Sequence, residues 1–257
     1  MNKHFELTDE TIHYDGRTLH RIRATRELPY HAVKPGDLGG FVEHLDNLSD
    51  SAWVADEAMV YDDARVSGNA LVYDDARVYG NARVSGNAQV FGDAQVFGDA
   101  LVSDDAFIYD KAQVAGKAHI FENAEVTDNA QVSDDAQVYN WARVCGNARV
   151  FGYARVFGNA HVFGNAHVFG YARVAEEKHI MIGTLCTNRQ FNWTLHRTTD
   201  GHVLHIGCKS GTLDDHQILC DSDSWVETTD PEIIRDARPE YQSVIDQCRA
   251  RVARWTK

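Results

Sequence analysis

Three histidines, His119, His161 and His167, recur at one kind of position along the middle of the chain. Imidazole titrates near neutrality, so such a side chain can take up or release a proton at physiological pH. Arg143, Arg149, Arg155 and Arg173 follow the same spacing, and guanidinium forks suit phosphate or carboxylate. Aspartates crowd the earlier part: Asp62-Asp63, Asp74-Asp75 and Asp104-Asp105. Pairs eighteen residues apart, such as Asp56 with Asp74 and Asp110 with Asp128, offer carboxylates either to Ca²⁺ or to their own turns. His196, His202, His205 and His216, with Cys186, Cys208 and Cys220, have no zinc-ligand spacing, so no metal is expected. Cys208, at a predicted strand end, reads as a small buried hydrophobe. No phosphate loop, serine elbow or dinucleotide fingerprint is present.

What positions these residues is a repeat of six. Alanine stands at position 52 and at every sixth position through 172, which makes 21 hexads without an insertion. Two residues after each alanine comes Val, or Ile at 108 and 120. Residues two apart on a strand share a side, so Ala and Val point inward and the residue between them points outward. The remaining residues are rich in Gly-Asn, Gly-Asp and Asp-Asp, which turn a corner. A helix is excluded, because a period of six does not hold one face at 3.6 residues per turn.

Three hexads close a triangular coil of eighteen residues, and 21 hexads make seven coils. Stacked at about 4.8 Å, the coils form a prism roughly 34 Å long. Val42 and Leu48 carry the register back before the first strict hexad. The outward slots include the three histidines. By the eighteen-residue rule His161 falls between Arg143 and His179, and His167 falls above Arg149. The residue after Val is aromatic in 12 of 21 hexads, in columns such as Tyr61, Tyr79, Phe97 and Tyr73, Phe91, Tyr109 and Phe121, Tyr139, Phe157. Such columns suit stacked ladders, a subunit interface or sugar rings. A homotrimer interface is the expectation for part of them.

The Val-x-x-x-Ala spacing resembles the left-handed parallel β-helix of the hexapeptide-repeat acyltransferases. The chain as a whole is similar to a narrower bacterial group labelled hexapeptide-repeat transferases, in Gly36-Asp37-Leu38-Gly39-Gly40-Phe41-Val42 before the repeat and in Trp193-Thr194-Leu195-His196-Arg197 and Ile206-Gly207-Cys208 after it. The left hand comes from that resemblance. So does the activity it implies: acyl transfer from acetyl-CoA to the hydroxyl or amine of a small-molecule acceptor. One histidine would serve as general base in a cleft between prisms of a trimer, and His161 and His167 are the candidates. Coenzyme A carries phosphates, which places Arg143, Arg149 and Arg155 as its expected contacts. Catalytic members of that superfamily usually throw a loop out of a coil to wall the acceptor site. Here the register is unbroken, so a wall must come from an end module or a neighbouring subunit. The same unbroken register supports a second class of function, a non-catalytic scaffold or binding protein that presents its C-terminal domain to a partner. Fold alone does not decide between them.

The expected organisation is mainly β: a small β cap over 1–45, the left-handed parallel β-helix over 46–177, and a small α+β domain over 178–257. A hairpin is predicted around Asp15-Gly16 and a turn at Lys34-Pro35-Gly36. In the tail, strands are predicted over His179–Leu185, Phe191–Arg197 and Val203–Cys208, with Asp200-Gly201 as a turn. Thr212 with Asp215 predicts a capping box, and Asp230-Pro231 a second helix start. Tyr241, Val244, Ile245, Cys248, Val252 and Trp255 mark the apolar face of the last helix. Thirty-eight acids against 25 bases give a net charge of −13, which argues against nonspecific binding to nucleic acid or an anionic membrane. No apolar run spans a bilayer, and the first residues lack the apolar core of a signal peptide. Five scattered cysteines read as reduced thiols of a cytoplasmic protein.

Overall fold

The computed structural model describes residues 3–186, 190–222 and 231–255. Each hexad contributes a two-residue strand, and the strands form three parallel faces of seven coils. Face 1 runs from Trp53-Val54 to His161-Val162, and face 3 from Arg65-Val66 to Arg173-Val174. Face 2 runs from Met59-Val60 to His167-Val168 and is longer, because N-terminal strands join it. Every repeat Ala and every repeat Val or Ile is buried. A triangle this narrow admits only small and β-branched side chains, which explains the monotony of the inner positions.

The corners explain the glycines and aspartates. From 56 to 170 the second residue after each Val has a positive φ at every corner. Glycine meets this demand without steric cost, as at Gly98 with φ 71°. Elsewhere Asp, Asn or Glu takes the strained conformation, as at Asp134 with φ 58°. The carboxylate then does something glycine cannot. Asp134 Oδ2 accepts from Gly152 N at 3.0 Å, Asp128 Oδ2 from Gly146 N at 2.8 Å and Asp62 Oδ2 from Gly80 N at 3.1 Å. Asp56 and Asp110 accept the Asp74 and Asp128 N–H groups in the same way, both at 3.4 Å. Of the two readings of these columns, tying successive turns together is the one the geometry displays.

Coils are joined by a ladder with one direction. Trp53 N donates to Ala70 O at 3.0 Å and Ala55 N to Val72 O at 2.8 Å, and the pattern repeats along the prism. The N-terminal end therefore presents carbonyls and the C-terminal end presents N–H groups. At the first end, Asn47 Nδ2 donates to Asp62 O and Ala64 O at 3.0 and 2.9 Å, and Ser51 N to Gly68 O at 2.9 Å. The hairpin Phe5–Tyr14 with Arg17–Ala24 extends face 2 through strand Leu38–Val42, antiparallel to the hairpin and parallel to Met59-Val60. Gly39 and Gly40 lie against the first coil, where a Cβ would stand 2.4 Å from Val54 O and 2.5 Å from Ala58 O.

The tail is an antiparallel sheet of strands Ile180–Cys186, Gln190–Thr198, Gly201–Ile206 and Lys209–Gly211, packed on helices Leu213–Asp221 and Pro231–Val252. Leu195, Leu204, Tyr241, Ile245 and Cys248 are its buried centre. The Thr212–Asp215 capping box forms. The predicted start at Asp230 lies outside the described residues. Three tail expectations change. The tight turn is Thr199-Asp200, since Thr198 pairs with Gly201. Cys208 is exposed, because the strand ends at Ile206 and a two-residue turn follows. His179 leaves the His161 column, because the chain departs from the prism after Val174 and folds into a short 3₁₀ turn. Among the described residues no helix is long and apolar enough to cross a membrane.

Replacing Asp134 separates the two corner effects. Asp134→Gly loses only the bond to Gly152 N, whereas Asp134→Ala also puts a Cβ without that bond at positive φ. Urea unfolding should find the alanine variant less stable than the glycine variant by about 1 kcal/mol. Equal stabilities would remove the conformational argument.

Candidate functional site

The last coil ends on free N–H groups, and the tail answers them with side chains. Thr194 Oγ1 accepts from His167 N at 3.0 Å, and His179 Nδ1 faces Ala175 N at 3.3 Å. Ala172 forms an isolated antiparallel bridge with Thr198. Strand Gln190–Thr198 thus lies across the end of the prism, and two openings flank it.

The opening on face 2 has a volume of about 220 Å³ and is lined by Asn165, His167, Phe191, Asn192, Thr194, His205 and Gly207. His167 comes from the last coil and His205 from the tail sheet, with ring centroids 5.5 Å apart. Phe169 packs edge-on against His205 at 5.3 Å and His196 at 5.4 Å. Burial lowers the pKa of His167, and Arg149, its register neighbour, lowers it further. Burial also lowers that of His205, whose Nδ1 is enclosed and has no hydrogen-bond partner among the described residues. Both rings are therefore neutral at pH 7. A neutral imidazole has a lone pair to accept a proton, and the amides and hydroxyl around it can orient a polar acceptor.

The opening on face 3 has a volume of about 410 Å³ and is lined by Phe157, Arg173, Ala175, His179, Arg197, Thr198 and Thr199. Among the described residues no carboxylate lines it. Arg155 lies beside Arg173 in register, and the Arg173 guanidinium sits 5.7 Å from the Phe157 ring centroid. Arg197 Nη1 is 3.2 Å from His179 Nε2, and burial followed by the Arg197 charge lowers the His179 pKa.

The expected site residues are divided among faces. Arg143 is on face 1, Arg149 on face 2 and Arg155 on face 3, so one chain does not gather them. Arg143 is engaged by Glu125 Oε2 at 3.3 Å and the Tyr109 hydroxyl at 3.3 Å. His161 is on face 1, away from the opening that holds His167. Its Nε2 lies 3.2 Å from Cys145 Sγ, and its Nδ1 lies 3.9 Å from Glu177 Oε1. His119 is further down face 3. The sequence reading missed His205, Asn192 and Thr194 as partners of His167, and Arg197 and His179 as partners of Arg173. The six-residue spacing orders the prism alone and carries no signal for where the tail returns. Among the described residues no group of three or more His, Cys, Asp or Glu is arranged to hold a metal.

Comparison with known families matches four stretches, residues 58–74, 64–78, 76–92 and 142–158, to the YdcK beta solenoid repeat. The chain is thus YdcK-like in its repeat. No curated protein matches it.

Beneath the face 2 opening, burial holds fully enclosed His196 at a pKa of about 4, against an ordinary 6.5. Between those values the unfolded chain binds a proton that the folded chain refuses. The contribution of His196 to stability is therefore complete above about pH 6.5 and is lost as pH falls towards 4, by about 3 kcal/mol. Urea unfolding across this range should show that loss, and His196→Leu should reduce the slope. An unchanged slope in the variant would assign the acid sensitivity elsewhere.

Proposed function

We propose that this YdcK-like solenoid is an acetyl-CoA-dependent acyltransferase with His167 as its general base. The observation that carries the reading is the face 2 opening, in which the tail sheet supplies the wall that the uninterrupted repeat lacks. The His167 imidazole takes a proton from the hydroxyl or amine of a small acceptor. The acceptor oxygen or nitrogen attacks the thioester carbonyl, the carbon–sulfur bond breaks, and coenzyme A leaves as its thiol after taking up a proton. His205 and Phe169 hold the base in a poorly solvated position, and Arg149 disfavours its resting protonation. Arg155 and Arg173, which lack acidic partners among the described residues, suit the phosphates of coenzyme A. His161, whose Nε2 already faces a thiol, is the weaker choice of base.

The base and the arginine pair lie on adjoining faces, on either side of one prism edge. A cyclic homotrimer joins two different patches at every interface, so face 2 of one chain can meet face 3 of the next. Tyr153 and Tyr171 are stacked at that edge, 58% and 66% exposed, and supply an apolar strip for the contact. Acetyl-CoA as donor suits a cytoplasmic protein, in which thiols such as Cys145, Cys208 and Cys248 stay reduced. The unbroken register favours a second reading, a rigid scaffold that presents the tail.

Titration of the full chain with acetyl-CoA, with oligomeric mass measured alongside, separates the two. The acyltransferase binds about one molecule per chain as a trimer. His167→Gln should then cut turnover by at least about a hundredfold with binding retained. Arg155→Gln with Arg173→Gln should weaken binding. A folded protein that binds no acetyl-CoA is the scaffold.

A further inference from the structure

Arg65 and Arg83 are direct register neighbours on adjacent strands of face 3. Like charges placed opposite each other in a sheet are destabilising. Other arginines are answered by acids, as Arg143 is by Glu125, Arg21 by Glu10 and Glu57, and Arg17 by Asp62, whereas among the described residues the face 3 register pairs Arg65 with Arg83 and Arg155 with Arg173 are not. Among the described residues neither the Arg65 nor the Arg83 side chain has an ion-pair or hydrogen-bond partner, although both backbones are in the ladder. The cationic pair is retained although the chain carries a net charge of −13.

The surface around the pair is concave. A trough of about 800 Å³ is lined by Arg65 and Arg83, by Ser67, Ser85 and Ser103 beside them, and by Lys3 at the rim. Two acids also border it, and both are committed. Asp46 pairs with Lys3 Nζ at 3.5 Å. Asp50 Oδ2 accepts from Gly68 N at 3.0 Å and from the Ser49 hydroxyl at 3.3 Å. The volume lies within the roughly 300–1,000 Å³ of small-molecule sites and exceeds what a bare ion fills.

We infer that this trough binds a phosphorylated small molecule, with its phosphoryl group held between Arg65 and Arg83 and its organic part along face 3. Two planar forks one coil apart offer paired donors to the phosphoryl oxygens, and the Ser67 and Ser85 hydroxyls supply further donors. Bound dianion removes the repulsion between the guanidinium groups. The site lies at the opposite end of the prism from His167 and does not depend on the acyltransferase reading.

The test titrates the full chain with inorganic phosphate and with a hexose monophosphate at low ionic strength. One molecule of either binds per chain, and the ester binds more tightly. Arg65→Gln and Arg83→Gln each weaken both by about tenfold, and the double variant abolishes binding. Arg83→Lys retains part of the affinity, because it keeps the charge and loses the fork. Arg23→Gln, outside both arginine pairs, leaves this binding unchanged, which separates a site from the loss of one surface charge. These side chains face solvent, so the variants fold, and circular dichroism checks that they do. A wild-type chain that binds neither probe overturns the inference, as does a folded double variant that binds like wild type. Phosphate binding without ester binding overturns the assignment of a phosphorylated molecule.

Discussion

At each corner of the prism the chain passes through one residue at positive φ, and the N–H of that residue looks back at the corner one coil earlier. Where the earlier corner carries Asp or Asn, its side chain accepts that N–H, as between Asp134 and Gly152 or Asn140 and Gly158. At some corners that carry glycine, the coils approach more closely than a Cβ allows, as at Gly68, whose added Cβ would stand 2.8 Å from Gly86 O. Both solutions hold the eighteen-residue turn in register. The buried Ala and Val columns, the aromatic ladders and the outward slots all inherit their alignment from these corners.

The directed backbone ladder makes the two ends chemically different. One end offers carbonyls, and it is covered by donors, with Asn47 reaching two of them. The other end offers N–H groups, which call for acceptors, and Thr194 and His179 occupy those positions. Unpaired backbone donors favour polar and anionic company. The openings that flank the tail strand therefore arise where a polar boundary is required by the ladder itself. A prism closed by a purely apolar cap would leave those groups unsatisfied.

The three faces also set limits on chemistry. A step of six residues moves to the next face, so neighbours in the repeat such as Arg143, Arg149 and Arg155 are not neighbours in space. A step of eighteen stays on a face, and it makes real pairs: Arg149 with His167, Arg155 with Arg173, Arg65 with Arg83. The aromatic columns follow the same rule, with Tyr61 on Tyr79 at 5.1 Å and Phe121 on Tyr139 at 4.8 Å. These ladders stiffen the edges from within one chain, whatever else they contact.

By itself the sequence determined the prism: its strands, its inward and outward positions, its seven coils and its stacking partners. It could do so because every one of these properties is a short-range consequence of an uninterrupted period, and each coil repeats the same packing problem. It also indicated the N-terminal hairpin and the Thr212 cap, which are set by local turn and capping chemistry. Only the tertiary structure decided what lies beside His167 and Arg173. His205 is 38 residues from His167 and Arg197 is 24 from Arg173, and neither distance is a multiple of eighteen. Those neighbours depend on how the tail folds back to meet the exposed N–H edge, a long-range choice made by Thr194, His179 and the Ala172–Thr198 bridge together, and no periodicity encodes it.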